Sequence, residues 1–246
     1  MKTILILLAL SINASAWAAT QAPPTATILK GKINRALKGG QSLKGFYTSV
    51  SQEYGGGAIR PLLEIASDDS NTDETRWAAL FGLARIAGRQ SLGVIRKFMV
   101  NSSWMLRDAA LKTAAALDAR ELTPQIELRL KDDALIVRTT AVETIGQLNL
   151  KTSAPKLVDA LFDPVNFHAG KALWIHKHIL QVLKDFHYNT AVPKLVELLE
   201  KSDQDSQLQD QLLATIENLT GRSFPGKSMQ QQIYLWKRNT LSDATF

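Results

Sequence analysis

Arg76, Arg107 and Arg138 stand 31 residues apart (107 − 76 and 138 − 107), and the residues that follow them recur at matching offsets. The copies read Arg76-Trp77-Ala78-Ala79-Leu80-Phe81-Gly82-Leu83, Arg107-Asp108-Ala109-Ala110-Leu111-Lys112-Thr113-Ala114 and Arg138-Thr139-Thr140-Ala141-Val142-Glu143-Thr144-Ile145. Self-similarity at a period of roughly 20 to 50 residues marks a chain built from one supersecondary unit used repeatedly. Such a unit cannot bury its apolar face alone, so neighbouring copies must pack on one another. The period therefore constrains the fold more tightly than composition does. It also points to an extended binding surface in place of a single reaction centre.

Apolar spacing places helices of two kinds on this frame. The first kind carries the arginine and the small residues, at 75–87, 105–117 and 135–148. The second kind covers 58–66, 92–100, 124–130, 154–162 and 191–200. Connectors such as Gly88-Arg89-Gln90 are short enough to require antiparallel neighbours. Pro61, Pro124, Pro155 and Pro193 sit near the starts of second helices, where a missing N–H costs nothing. The pattern continues with altered spacing. His176 falls in the arginine slot 38 residues on (176 − 138), and Gln209 follows 33 later (209 − 176). The extra seven residues are expected in a turn-rich insertion at 163–170. The expected organisation is an all-α fold of about five helical pairs at 55–219. N-terminal cap helices at 28–54 precede it, because terminal repeats depart from the pattern, and a capping helix in 220–246 follows.

The run Asp132-Asp133-Ala134-Leu135-Ile136-Val137-Arg138-Thr139-Thr140-Ala141-Val142 resembles the short bacterial HEAT repeat named after the phycobilin lyases. There an aspartate ends the second helix, and an arginine opens the next first helix. Asp68-Asp69 before Arg76 matches in part, whereas Asn101-Ser102-Ser103 before Arg107 lacks the acid. Leu219-Thr220-Gly221-Arg222-x-Phe224, with Trp236 beyond, resembles the ends of bacterial HEAT proteins. The resemblance covers roughly residues 56–240. It implies an α-α superhelix, or solenoid, whose second helices line the concave face. It implies no particular activity, because this repeat serves many tasks.

The ends and the composition bound the setting. Lys2, the apolar run 4–10 and Ala16-Trp17-Ala18 read as a cleaved secretory signal at 1–18, followed by a flexible leader at 19–27. The expected location is the bacterial periplasm or the exterior. There is no cysteine, which excludes a disulfide framework, a lipid-bearing cysteine and any thiolate metal site. No later segment approaches the roughly 20 apolar residues of a membrane span. Removing 1–18 takes away only Lys2, so the formal charge falls from +6 to +5. That mild excess favours acidic proteins or anionic envelope polymers and makes no case for nucleic acid.

No phosphate loop, nucleophile elbow or cysteine nucleophile is present, so no enzymatic activity is expected. His176 and His178 are two apart and face different sides of a helix, so no metal or cofactor is implied. The repeated arginines are expected to form a structural ladder. In it Arg76, Arg107 and Arg138 pair with acids or amides of the preceding turn, Asp69 and Asp132 among them. Of the second-helix charges, the basic residues Arg96, Lys97, Arg129, Lys131 and Lys156 are candidates to hold an acidic protein segment. Trp104, in the turn before α-helical residues, is a candidate contact anchor; Trp77 and Trp174 are expected to be partly core. The functional expectation is a non-enzymatic scaffold that binds a protein. Alternatives are a lyase- or chaperone-like role and a polymer binder.

Overall fold

The computed structural model describes residues 22–243, with side-chain surroundings to 239, so the expected signal at 1–18 lies outside the described residues. Within them the chain is almost wholly helical and divides into two compact units, the first ending at Ala119 and the second starting at Arg120.

The first unit contains α1 (Ala26–Lys38), α2 (Leu43–Tyr54), α3 (Ile59–Ser67), α4 (Asp73–Ala87), α5 (Leu92–Phe98) and α6 (Trp104–Ala116). Helix α3 lies along α4, α5 along α6, and α4 packs on α6, with α1 and α2 closing the other side of α3 and α4. Its core is largely aliphatic (Leu29, Ile33, Leu62, Leu80, Leu106), with the aromatic rings of Phe46, Tyr54, Phe98 and the fully buried Tyr47 among them. Small residues let helices approach. A Cβ on Gly82 would lie 2.2 Å from the Tyr47 ring.

The second unit contains α7 (Thr123–Leu128), α8 (Leu135–Gln147), α9 (Ala154–Phe162), β1 (Phe167–His168), β2 (Lys171–Ala172), α10 (Ile175–Asp185), α11 (Val192–Lys201), α12 (Ser206–Thr220) and α13 (Met229–Asp243). Helices α8, α10 and α12 pack in succession, while α7, α9 and α11 each pack on the helix that follows. Pro124, Pro155 and Pro193 occupy the first turns of α7, α9 and α11. Phe224 meets the buried Trp236 edge-on at 4.9 Å, joining two residues of the chain-end motif.

The repeat is more regular in its turns than in its side chains. Each first helix reverses through a left-handed residue (Gly55, Gly88, Asp118, Asn149, His187) and a 3₁₀ turn before the second helix. At Asp118, Asn149 and His187 the reversal is a Schellman motif. The residue after each donates to the carbonyl five back, as Ala119 does to Ala114, Leu150 to Ile145 and Tyr188 to Leu183. Gly55 heads this series, so the connection from α2 to α3 already has the repeat geometry, although the cap sequences lack the pattern.

The reverse turns, from second helix to next first helix, are Asx turns. Oδ1 of Asp68, Asn101, Asp132 and Asp163 accepts the N–H two residues on, from Ser70 (2.9 Å), Ser103 (2.9 Å), Ala134 (3.0 Å) and Val165 (3.1 Å). Asn101 does this as well as an aspartate because only a side-chain oxygen is needed.

The arginines serve the same turns, by a route other than pairing with Asp132. Arg107 Nη1 donates to the carbonyls of Asn101 and Ser102, both at 2.9 Å. Arg138 Nη1 donates to those of Asp132 (2.7 Å) and Asp133 (3.1 Å), at identical offsets of six and five. The Asp132 carboxylate instead meets Arg129 at 3.2 Å and the Ala134 N–H. The turn before Arg76 is two residues longer (eight from Asp68, against six from Asn101 or Asp132). Its Nε therefore reaches the Ala66 carbonyl at 3.0 Å and its Nη2 pairs with Asp69 at 2.7 Å. Where the arginine is lost, the donor survives: Gln209 Nε2 bonds the Leu199 carbonyl at 3.4 Å, and His176 Nε2 lies 3.1 Å from that of Leu161. The slot selects for an N–H aimed at the carbonyls near a helix end, which otherwise lack partners.

The insertion also differs from expectation. Residues 163–166 are the regular turn. Asn166 donates to the Ala160 carbonyl six residues back at 2.9 Å, as Asn71 does to that of Ile65 at 3.0 Å. The added residues come after Asn166. They form a small antiparallel hairpin with Phe167 opposite Ala172 and His168 opposite Lys171, turning at Ala169 and Gly170 with positive φ at both.

Candidate partner-binding site

The expected second-helix cations fall into two groups once their partners are known. In the first unit, Arg96 and Lys97 end α5 exposed, with no ion pair among the described residues. Val100 and Trp104 follow, and Trp104, which opens α6, is 47% exposed. A cationic pair and two uncovered apolar side chains thus share the short stretch 96–104.

In the second unit most of the cations are already used. Arg129 is largely covered and pairs with Asp132 at 3.2 Å, bracing its own Asx turn. Lys156 pairs with Glu127 at 2.5 Å, and Glu127 also accepts from Ser153 Oγ at 2.7 Å. On α11, Glu197 accepts from Lys194 (2.8 Å) and Lys201 (2.7 Å), and these two bonds hold its carboxyl at about 2. Glu200 meets Lys237 of α13 at 2.8 Å. Lys131 is the one member of the proposed basic set in this unit with no ion pair among the described residues. Local pairs within a helix or turn, and the contacts Lys156–Glu127 and Lys237–Glu200 between helices, neutralise most of these charges.

Beside Lys131, what remains open on that face is largely apolar. A groove of about 750 Å³ runs between α7 and α9, with Leu128, Leu130, Ala160 and Phe162 in its walls and Lys131 and Asp159 among its polar lining. Leu128 is 63% exposed, an unusual position for a leucine flanked by the buried Ile126 and Leu130. It is the last residue of the short α7, where the backbone tightens into the 3₁₀ turn Arg129–Lys131 and carries the side chain outward. Lys194 and Lys201 stand 5.4 and 5.9 Å from the Phe162 ring centroid, extending the cationic edge of the aromatic wall.

Trp174, expected to be partly core, is 56% exposed, with its indole N–H donating to Thr139 Oγ1 at 3.0 Å. Trp77 is partly covered and stacks on Phe81 at 6.5 Å. His176 is buried, whereas His178 pairs with Glu143 at 3.1 Å; the described residues contain no cluster of three or more His, Asp or Glu placed to hold a metal ion. No described helix is long and apolar enough to cross a membrane.

Sequence reasoning missed Leu128 and Val100, because helical periodicity counts an apolar residue near a helix end as core. It also missed Asn71 and Asn166, buried in the turns; their shared offset of three from Asp68 and Asp163 was the available signal. No protein-family model matches this chain, and no curated protein is significantly similar to it.

Proposed function

We propose that this chain is a non-enzymatic protein-binding scaffold, a HEAT-like α-solenoid exported to the bacterial envelope, which grips its partner through its second helices. The observation that carries the reading is the groove between α7 and α9, where Leu128 stands exposed while Lys156 and Glu127 at its edge already satisfy each other. An apolar wall within self-neutralised charges suits an aliphatic or aromatic side chain of another protein, because burying it gains hydrophobic free energy without stripping water from unpaired ions. A polyanion would need unpaired cations in a row, and Lys131 alone offers little. In the first unit, Arg96 and Lys97 beside Val100 and Trp104 suit an acidic segment that carries an apolar residue.

A lyase- or chaperone-like role also rests on the HEAT resemblance, and no particular residue arrangement favours it. Affinity capture from an envelope fraction tests the reading, with Leu128→Asp and an Arg96→Glu/Lys97→Glu double variant run beside wild type. Loss of the same protein from the captures of folded variants supports it; identical captures from all three refute it.

A further inference from the structure

The arginine slot of the repeat holds a histidine once, at the copy that carries the hairpin. His176 is 1% exposed. Its Nδ1 lies 3.1 Å from the Leu173 carbonyl, at the foot of the hairpin, and its Nε2 lies 3.1 Å from the Leu161 carbonyl near the end of α9. The Phe167 ring of β1 meets it edge-on at 4.6 Å. The imidazole thus joins the hairpin to the body of the repeat at three points. Both polar neighbours are acceptors, so a neutral ring, with one N–H, satisfies one of them, and a charged ring would satisfy both.

The charged form must also survive burial. Of the groups on the elements packed around it, Arg138 on α8 is bound to Asn166 and the turn carbonyls, and Glu143 on α8 pairs with His178. Asp163, at the end of α9, accepts the Val165 N–H, while His168 and Lys171 are exposed at the hairpin tip and Asp210 is exposed on α12. Asp205, at the head of α12, favours the charged ring by its field, but its carboxylate is bonded to the Ala172 N–H (2.8 Å) and the Leu208 N–H (3.0 Å). Among the described residues no carboxylate touches the imidazole. Arginine in the sister copies stays charged at every accessible pH, whereas this residue can discharge.

We propose that His176 is a proton-released clasp, in which a neutral ring holds the 167–172 hairpin against the end of α9 and protonation favours its release. Burial, outweighing the two carbonyls and Asp205, pushes the ring's pKa below its usual 6.5. Opening returns the ring to water and to that usual value. Acid therefore favours the open form: the closed form is fully stabilised above about pH 6.5, and that advantage falls as pH drops toward the lower, closed-state value. The inference does not depend on the partner-binding reading.

Hydrogen exchange of the full chain tests it at the Ala172 and Leu173 amides, which are bonded to Asp205 Oδ2 and the Asn166 carbonyl. Protection factors, corrected for intrinsic rates, should fall, by at most about tenfold, between pH 7.5 and 5.5 in wild type and in Asp205→Asn. They should stay level in His176→Gln, which installs the donor used at position 209. An equal fall in His176→Gln, or no fall in wild type, overturns the proposal. If His176→Gln does not fold, NMR titration of the wild-type imidazoles decides instead. His176 should titrate below the usual 6.5, and a midpoint at or above that value overturns it.

Discussion

Removing Arg138 should be among the costliest single changes in the second unit. The side chain is 2% exposed and donates four hydrogen bonds, to Asn166 Oδ1 (2.8 Å) and the carbonyls of Asp132 (2.7 Å), Asp133 (3.1 Å) and Val165 (3.0 Å). Two of these, to Asn166 and Asp132, lie in buried surroundings, while the others are within reach of water. In Arg138→Ala the two buried acceptors lose their donor, at about 1–3 kcal/mol each, and the lost packing of the side-chain stem adds to this. A destabilisation of about 4 kcal/mol is expected from these terms together. Arg138→Lys should recover less than half, since one ammonium cannot reach two turns at once. Asp132→Asn supplies the discriminating control. If the arginine were held by that carboxylate, losing its charge would cost nearly as much as losing Arg138. With the carbonyls as partners, the substituted amide keeps an oxygen for the Asx turn and all of the Arg138 hydrogen bonds stay, so weakening the Arg129 pair and the field at Arg138 costs about 1 kcal/mol. Urea unfolding followed by circular dichroism measures all three. Equal costs for Arg138→Ala and Asp132→Asn would refute the carbonyl-bracing account, as would a cost below about 1 kcal/mol for Arg138→Ala.

Gly82→Ala should destabilise by about 2 kcal/mol in thermal or urea unfolding, because its Cβ would enter the Tyr47 ring, whose hydroxyl is tied to the Ala78 carbonyl at 2.7 Å. Gly93→Ala, with open space around the new methyl in α5, should be neutral or stabilising by up to about 1 kcal/mol, so a matching loss there would remove the packing explanation. His187, held at a φ of 51° in its Schellman turn, should gain about 0.5–1 kcal/mol on replacement by glycine; a loss would mean that its side chain contributes more than its backbone strain costs. Asn101→Asp should change stability by less than about 0.5 kcal/mol, since either side chain supplies the oxygen that the Ser103 N–H requires.

Much of the helical layout was legible because amphipathic spacing reports directly on which face is buried. Residues 154–162 were placed as the structure has them, and the other second helices to within a residue or two. The hairpin was not legible. Phe167-His168-Ala169-Gly170-Lys171-Ala172 lacks the alternation and the Asn-Gly pair of a strong hairpin sequence, and it is held by distant groups such as Asp205, 33 residues from Ala172. The arginine period was visible, but its partners were not. Backbone carbonyls leave no trace in composition, so nearby acids looked like the natural counterparts. The loss of arginine at His176 and Gln209 carried the hint, because neither replacement carries arginine's permanent charge and both keep an N–H. For the candidate site, the pairing of Lys194 and Lys201 with Glu197 was legible as i,i+3 and i,i+4 spacing on one helix, whereas that of Lys156 with Glu127 appears only when adjacent helices are placed together.

The claim that this surface binds a protein through an apolar anchor is tested most directly by the affinity of a captured partner, measured for wild type and Leu128→Asp at low and high salt. Truncating or charging a central anchor typically costs about 1–2 kcal/mol or more, so Leu128→Asp should bind about tenfold or more weakly. Wild-type affinity should change only a few-fold as added salt screens exposed charges. Binding that is indifferent to Leu128→Asp and collapses with salt would contradict the account and identify the partner as a polyanion held by charge.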